Sequence, residues 1–291
     1  MWDVIAQAVA DALGEPFTAR ERAPVAGGDI NDAWRLGDGQ RDVFVKTNKA
    51  ALLGMFEAET EGLSALAAAG GLRVPRPVAC GTAGDKAWLA LEWVTLQGRG
   101  DWAALGAGLA TVHRSTATEH GWHRDNTIGS TRQPNARNPE WPAFFAEQRL
   151  GYQLDLAEHR GAAGHGLLEA GRRLQQDLPA LFGSHQPVPS LLHGDLWSGN
   201  VAFDAGRAPV IYDPAVYYGD RESDLAMTEL FGHFPDAFYA AYQEAWPLDT
   251  GYAVRRTLYQ LYHVLNHGNL FGGGYWGQAE GMIGRLIAEM R

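Results

Sequence analysis

The stretch that decides the fold reads His193-Gly194-Asp195-Leu196-Trp197-Ser198-Gly199-Asn200, and a second carboxylate, Asp213, follows thirteen residues after Asn200. An acid, an amide and a second acid in this order are typical of phosphoryl transfer from ATP. In that chemistry Asp195 accepts the proton of a substrate hydroxyl, while Asn200 and Asp213 hold Mg²⁺ against the nucleotide phosphates. The sequence therefore predicts a catalytic loop over residues 193–200, with Asp195 as the catalytic base.

Short apolar runs flank this loop. Ser190–Leu192 enters it and Val201–Phe203 leaves it, and residues 204–206 are typical of a hairpin turn. A second β-rich run, 209–212, ends at Asp213, so Asn200 and Asp213 lie at opposite ends of one predicted hairpin. The alternative is a capped turn, because Asp, Asn, Ser and Gly all favour turns. His193 is predicted to brace the loop by hydrogen bonds, without acting as an acid or base.

Composition excludes several classes of function. A chain of 291 residues can form one large domain or two lobes, and its net charge of −10 argues against nucleic-acid and anionic membrane partners. Cys80 is the single cysteine, which excludes an intramolecular disulfide and is typical of a reducing compartment. No apolar run is long enough to span a bilayer, and no basic leader precedes the first helix. We therefore expect a cytoplasmic globular protein.

The order of predicted elements divides the chain into two lobes. Residues 1–94 combine an opening helix with short strands, and residues 95–291 are mainly helical. The first lobe is predicted to have a first strand that ends in residues 24–28, further strands over 33–36, 42–46, 78–81 and 87–91, and a helix over 55–69. The second is predicted to have helices over 102–113, 141–159, 167–182, 223–231, 237–246, 254–267 and 278–290. This pattern predicts an α+β, bilobal, protein-kinase-like fold with a small β-rich nucleotide-binding lobe, a larger catalytic and acceptor-binding lobe, and a cleft where they join.

A lysine and a glutamate are the candidates for the nucleotide side. Lys46 ends the third strand, where its ammonium can reach the α- and β-phosphates of ATP; the alternative is a strand-end lysine that extends to solvent. An acid on the following helix would orient it. Glu59 lies on the apolar face of that helix and is preferred, with Glu57 as the second choice.

Two further segments are candidates for binding ATP. Gly27 and Gly28 lie between the first two strands, where glycines let backbone N–H groups approach phosphates, although a plain hairpin turn explains them equally well. Glu92, Trp93 and Val94 lie at the predicted lobe junction. Their backbone could pair with the adenine edge while apolar side chains cover its ring, and simple hinge packing is the alternative.

The segment 192–201 resembles the signature of the fructosamine kinases, also called ketosamine-3-kinases. Eight further segments resemble the same family in the same order along nearly the whole chain: residues 44–46, 55–59, 74–77, 141–145, 211–215, 218–227, 259–262 and 265–272. The resemblance implies a fold related to aminoglycoside phosphotransferases. It also implies ATP-dependent phosphorylation of the 3-hydroxyl of a ketosamine, whose product is unstable and leaves its amine, so that glycation is reversed.

The resemblance also implies roles for individual residues. Asp195 would be the catalytic base, and Glu92, Trp93 and Val94 would be the hinge segment that binds ATP. Trp197 would separate this family from aminoglycoside kinases, with its indole against the apolar face of a sugar; packing beneath the loop is the alternative. The substrate would be a small ketosamine or a glycated amine or lysine.

One position departs from the family. Several members carry a cysteine in the phosphate loop that can link two chains, whereas this chain has Asp29 there. A disulfide-linked dimer is therefore not expected. An acid beside ATP phosphates is electrostatically unfavourable, so the side chain of Asp29 is expected to point away from them.

Three groups of residues near the catalytic segments allow two interpretations each. Asp220 and Asp224 flank a helix start; the resemblance to the related folds implies that an acid here braces the catalytic loop, and capping of the helix is the alternative, favoured for Asp220. His263 and His267 have zinc-like spacing, but no third ligand is near in sequence, so we interpret them as core and cleft histidines. Residues 271–276 could line the acceptor pocket or form a mobile loop.

Two other functions remain as alternatives. The acceptor could be an aminoglycoside or choline, since an acidic site would suit those cations, although the context of Trp197 counts against both. A pseudokinase without catalysis is a third hypothesis, and the intact set of Lys46, Asp195, Asn200 and Asp213 disfavours it.

Overall fold

The computed structural model describes residues 1–26 and 30–290, so the predictions for Gly27, Gly28 and Asp29 lie outside the described residues. The chain forms two compact units. One comprises Met1–Asp101 with Val201–Pro214, and the other comprises Trp102–Asn200 with Ala215–Arg291.

The first unit contains one antiparallel sheet of five strands in the order β1-β2-β3-β5-β4. Its helices and strands are α1 (Trp2–Leu13), β1 (Glu21–Pro24), β2 (Asp32–Gly37), β3 (Asp42–Lys49), α2 (Leu53–Ala69), β4 (Pro77–Ala83) and β5 (Lys86–Glu92). The strands and both helices predicted for this region are confirmed. Alternating Val43 and Val45 face the core, where they meet Ile5 and Val9 of α1. Apolar residues that alternate along β3 and recur at helical spacing along α1 therefore face each other and form this core.

A hairpin from later in the chain belongs to the first unit. Its strands are β9 (Val201–Phe203) and β10 (Pro209–Ile211), which pair antiparallel. Phe203 pairs with Gln97, and Val210 forms a parallel bridge with Arg73. Each strand has three buried residues, too few to form a stable sheet alone. The predicted boundary at residue 94 assigns this hairpin to the second lobe, whereas the hairpin packs on residues of the first unit.

The second unit is mainly helical, and every helix predicted for it is present: the helix over 102–113 has the predicted bounds, and the others have shifted ends. The helices are α3 (Trp102–His113), α4 (Trp141–Phe144), α5 (Tyr152–His159), α6 (His165–Asp177), α7 (Glu222–Thr228), α8 (Asp236–Ala245), α9 (Tyr252–Phe271) and α10 (Tyr275–Glu289). The helix predicted over 141–159 contains a π-helical segment, Phe145–Gly151, between α4 and α5. Pro142 in the first turn of α4 suits a helix start.

Two short antiparallel pairs complete the second unit. Strand β6 (Asn126–Ile128) pairs with β7 (Thr131–Gln133), and β8 (Ser190–Leu192) pairs with β11 (Tyr217–Gly219). The prediction of β8 is confirmed. The other three strands carry no periodic signal, because three residues are too few to show one.

Aromatic side chains fill the core of the second unit beneath these strands. The rings of Trp141, Phe144 and Tyr217 stack, and Trp141 Nε1 donates to the hydroxyl of Tyr259 at 3.0 Å. Each of these four residues is at most 3% exposed. Among the described residues, none of the helices combines the length and apolarity that crossing a membrane requires.

A glycine sets the approach of two helices in this unit. A Cβ at Gly106 of α3 would lie 2.1 Å from the carbonyl oxygen of Phe238 in α8, closer than van der Waals contact allows.

We expect Gly106→Ala to lower the free energy of unfolding by about 1–3 kcal/mol, because the helices must separate. Gly284→Ala in α10, where a Cβ meets open space, should instead raise it by about 0.5–1 kcal/mol. Urea denaturation measures both, and equal effects would contradict the packing argument.

Candidate active site

The predicted catalytic loop is held on one side by a buried carboxylate. Asp224, near the start of α7, is 1% exposed and accepts the backbone N–H groups of His193 at 2.7 Å and Gly194 at 2.8 Å. His113 Nε2 lies 3.1 Å from the same carboxylate. Burial alone would raise the pKa of Asp224, but these hydrogen bonds outweigh burial and lower it. Of the two predicted acids, Asp224 braces the loop, while Asp220 accepts the N–H of Glu222 at the first residue of α7.

The other side of the loop rests on the backbone of Ala215. The N–H of Ala215 donates to the carbonyl of His193 at 2.8 Å. Gly194 has φ +82°, and a Cβ there would lie 2.1 Å from the carbonyl oxygen of Ala215. The contact and the left-handed backbone both require glycine at this position.

Within the second unit, the structure brings Asp195 and Asn200 together. Asn200 Nδ2 donates to the backbone carbonyl of Asp195 at 2.8 Å and to its carboxylate oxygen Oδ2 at 3.2 Å. A 3₁₀ turn, Ser198–Asn200, places the amide there. With its nitrogen used in this way, Asn200 Oδ1 accepts no hydrogen bond from the residues that the structure describes. That oxygen is the atom of an amide that can ligate a hard cation.

Within the first unit, Lys46, Glu59 and Asp213 form a buried ion-pair group. Lys46 is 6% exposed, and its Nζ lies 2.6 Å from Glu59 Oε1 and is hydrogen-bonded to Asp213. Burial by itself would lower the pKa of Lys46, but the two carboxylates more than offset it and raise the pKa. The ammonium is therefore charged and held at a fixed place. Its partner on α2 is Glu59, the acid that was preferred over Glu57.

Asp213 combines an unusual backbone with an accessible side chain. Its φ of +57° lies in the left-handed region, which Asp tolerates better than most residues other than glycine. Its side chain is 43% exposed, although Lys46 binds one of its oxygens. Such local strain persists where the surrounding structure imposes it, frequently at functional sites.

The segment 92–94 begins at Glu92, the last residue of β5. The Glu92 carboxylate forms an ion pair with Arg73 at 2.7 Å, and the Trp93 ring lies 6.5 Å from that of Phe44. Glu92 N–H donates to the carbonyl of Arg76, whereas Trp93 and Val94 make no backbone–backbone hydrogen bond in the described part of the chain.

Trp197 lies on its own loop and remains accessible. Its ring covers Gly199, where a Cβ would lie 2.3 Å from the ring. The ring of Phe231 packs edge-to-face against Trp197, with 6.3 Å between the ring centroids. Trp197 is nevertheless 37% exposed. Phe231 in turn lies 4.7 Å from His267 of α9, so the indole is part of an aromatic group on the second unit.

A second polar cluster resembles a metal site but is an ion-pair network. Ligand atoms of His185, Asp220 and Glu222 lie within 4.8 Å of one another. Arg255 already binds both oxygens of Glu222, at 2.7 and 2.8 Å, and Tyr259 donates to Asp220 Oδ2 at 2.5 Å. A divalent cation would have to displace these partners, so we assign the cluster to stability. His263 is likewise buried, and burial lowers its pKa to about 3, which keeps the ring neutral.

Comparisons with solved structures define the class of protein. A candidate fructosamine-3-kinase from Haemophilus somnus matches with a TM-score of 0.91 at 30% identity over 99% of this chain and 98% of that chain. The aminoglycoside phosphotransferase APH(4)-Ia matches with a TM-score of 0.62 at 14% identity over 99% of each chain, a likeness of fold alone. The predicted protein-kinase-like α+β fold is confirmed.

Sequence comparisons define the family. The fructosamine kinase family model matches residues 1–289. A probable ketoamine kinase from Synechocystis is 48% identical over 98% of this chain and 97% of its own length. A chloroplastic protein-ribulosamine 3-kinase from Arabidopsis thaliana is 43% identical over 92% of this chain and 82% of its own length. The chain belongs to the fructosamine kinase family, which confirms the resemblance seen in the sequence.

The His185 network predicts a pH-dependent contribution to stability. His185 contacts Asp220 and Asp249 at 2.8 Å each, with Glu222 at 4.0 Å and Arg255 beyond it. Burial lowers the pKa of His185, but its hydrogen bond to Asp220 and its attraction to the carboxylates of Asp220 and Glu222 together outweigh burial and raise the pKa above 6.5. The stabilisation is therefore fully present below pH 6.5 and is lost as the pH rises through the raised value.

The measurement is the Tm of the wild type minus that of His185→Gln between about pH 6 and pH 9. We expect this difference to be positive at the acid end and to shrink as the pH rises. His165→Gln, at an exposed histidine, serves as the control. A difference that is constant across the range would show that His185 is not charged in the fold.

Proposed function

We propose that this protein is an ATP-dependent kinase that phosphorylates the 3-hydroxyl of ketosamines such as fructosamines and ribulosamines. The unstable product would then leave the amine, so the reaction repairs glycation. The observation that carries the proposal is the braced loop, in which Asn200 orients the carboxylate of Asp195. Membership of the fructosamine kinase family and the names of the relatives support the choice of substrate.

Asp195 is proposed as the catalytic base. The 3-hydroxyl oxygen attacks the γ-phosphorus of ATP, its proton passes to Asp195, and ADP leaves. The hydrogen bond from Asn200 to Oδ2 supports this role, because it fixes the plane of the carboxylate. The hydrogen bonds that the backbone N–H groups of His193 and Gly194 donate to Asp224 support it further, since they hold the backbone that carries Asp195.

Lys46 is proposed to bind the α- and β-phosphates of ATP, with Glu59 orienting it. The buried pair at 2.6 Å supports this assignment, because a fixed positive charge binds a polyphosphate at little cost in side-chain entropy. Gly27 and Gly28 are proposed to present backbone N–H groups to the phosphates. Glu92, Trp93 and Val94 are proposed as the adenine-binding segment, where the peptide groups of Trp93 and Val94 have no backbone partner among the described residues.

The site residues fit a magnesium ion, with Asn200 and Asp213 as the proposed ligands. Asn200 offers the carbonyl oxygen of its amide, and Asp213 offers a half-exposed carboxylate. Both are hard oxygen donors of the type that Mg²⁺ prefers alongside phosphate and water. The ion, when bound, neutralises charge on the phosphate oxygens.

Trp197 is proposed to contact the sugar part of the acceptor. An exposed indole beside the proposed base suits the apolar face of a sugar ring. An aminoglycoside or choline acceptor is the second candidate, but only the shared fold favours it. The complete set of Lys46, Asp195, Asn200 and Asp213 disfavours a pseudokinase.

The partner is proposed to be a small ketosamine or a glycated amine, and the location the cytoplasm. The net charge of −10 and the single cysteine support these proposals. We propose that the protein has no nucleic-acid, membrane or disulfide-linked partner.

A panel of acceptors tests the proposed substrate. With Mg-ATP, we expect the purified protein to release ADP when given fructoselysine or a ribulosamine, and not when given kanamycin or choline. A coupled ADP assay measures this, with a reaction lacking acceptor as the control. Turnover of kanamycin without turnover of ketosamines would show the acceptor assignment to be wrong.

The variant Asp195→Asn tests the proposed base. Loss of the proton acceptor should lower kcat by about 10²–10⁴-fold while the fold and ATP binding are kept. Stopped ADP assays and isothermal titration with ATP measure the two effects. The control is Asp236→Asn, an exposed acid at the start of α8, which should keep wild-type kcat. Near-normal turnover of Asp195→Asn would remove it from its assigned role.

A further inference from the structure

Side-chain amides of the hairpin β6–β7 hold the backbone on which the catalytic loop rests. Gln133 Nε2 donates to the carbonyl of Ala215 at 3.1 Å, and Asn126 Nδ2 donates to the carbonyl of Val216 at 2.8 Å. Gln133 is fully buried and Asn126 is 8% exposed. Two consecutive peptide groups are thus fixed by side chains rather than by a strand.

The amide of Gln133 has no unused hydrogen-bonding atom. Its Nε2 also donates to Asn126 Oδ1 at 2.8 Å, and its Oε1 accepts the hydroxyl of Tyr262 at 2.7 Å. Asn126 Oδ1 accepts a second bond, from Asn135 Nδ2 at 2.9 Å. A buried network whose amides are paired in this way has one arrangement, because rotating any member would leave a buried polar atom unpaired.

Ala215 connects the network around Gln133 to the catalytic loop. Its N–H binds the carbonyl of His193, and its carbonyl oxygen lies against the Cα of Gly194, where a Cβ would be 2.1 Å away. The carbonyl that Gln133 holds is therefore the one that Gly194 touches. A shift of Ala215 has to move the residues directly before Asp195.

We propose that Gln133 is a positioning residue for phosphoryl transfer, which acts through Ala215 on the placement of Asp195. The proposal rests on the proposed role of Asp195 as base. Asp224 fixes the N–H side of the loop, and the Gln133–Ala215 contact fixes its carbonyl side. A displacement on the order of 1 Å at the reacting groups can reduce turnover by about 100-fold, so a contact this close to the base is expected to affect kcat.

The test compares Gln133→Met with Asn269→Leu, which both replace a buried amide by an apolar side chain of similar size. Asn269 is 8% exposed, and its side chain binds Gln153. We expect Gln133→Met to lower kcat by about 10–100-fold with KM for ATP and for the ketosamine within about two-fold of wild type. Asn269→Leu should keep kcat within about two-fold at a comparable loss of Tm.

Two results would overturn the proposal: a kcat of Gln133→Met within about two-fold of wild type, or kcat losses in both variants that follow the loss of Tm. Tyr262→Phe provides a milder test should Gln133→Met not fold. It removes the hydroxyl that holds Gln133 Oε1, and we expect kcat to fall a few-fold. Wild-type kcat in Tyr262→Phe would then contradict the proposal.

A double variant separates this network from general destabilisation. If Tyr262 acts through Gln133, adding Tyr262→Phe to Gln133→Met should lower kcat no further, whereas independent effects would multiply. If Asp195 is not the base, Asp195→Asn will keep its turnover. That result distinguishes failure of the proposed base from failure of the proposed role of Gln133.

Discussion

The structure depends on one buried carboxylate that accepts hydrogen bonds from two consecutive backbone N–H groups. Asp224 is charged inside the second unit because His193, Gly194 and His113 satisfy it. The His113 ring is held between two partners, with Nε2 3.1 Å from Asp224 and Nδ1 2.8 Å from the hydroxyl of Tyr242. Removing one partner of such a charge is costly, and the arrangement therefore keeps the loop before Asp195 in one conformation.

Each unit holds one of the two proposed functional groups. In the second unit Asn200 orients Asp195, and in the first Lys46 is held between Glu59 and Asp213. Both groups are held by hydrogen bonds and ion pairs within the protein. This suits phosphoryl transfer, in which positioning and charge stabilisation contribute most of the catalysis.

Local patterns were sufficient to predict much of the fold and of the candidate site. The spacing of Asp195, Asn200 and Asp213 predicts the loop and its hairpin, and the position of Glu59 on the apolar face of α2 predicts its pairing with Lys46. These signals lie in short segments with a definite period. Three features escaped prediction because their partners are far apart in sequence. The hydrogen bond between His113 and Tyr242 and the one between Tyr262 and Gln133 each join residues 129 positions apart, and the hairpin β9–β10 packs on residues 97 and 73.

The most direct measurement of the central claim is the kinetics and ATP affinity of Asp224→Asn. An amide keeps one acceptor oxygen and places an NH₂ group against a backbone N–H, so the loop loses one anchor while the residues of the first unit are unchanged. We predict that kcat falls by about 100-fold or more while the Kd for ATP stays within about two-fold of wild type, with the fold monitored by circular dichroism. A kcat close to wild type, or ATP affinity lost in parallel with kcat, would contradict the account.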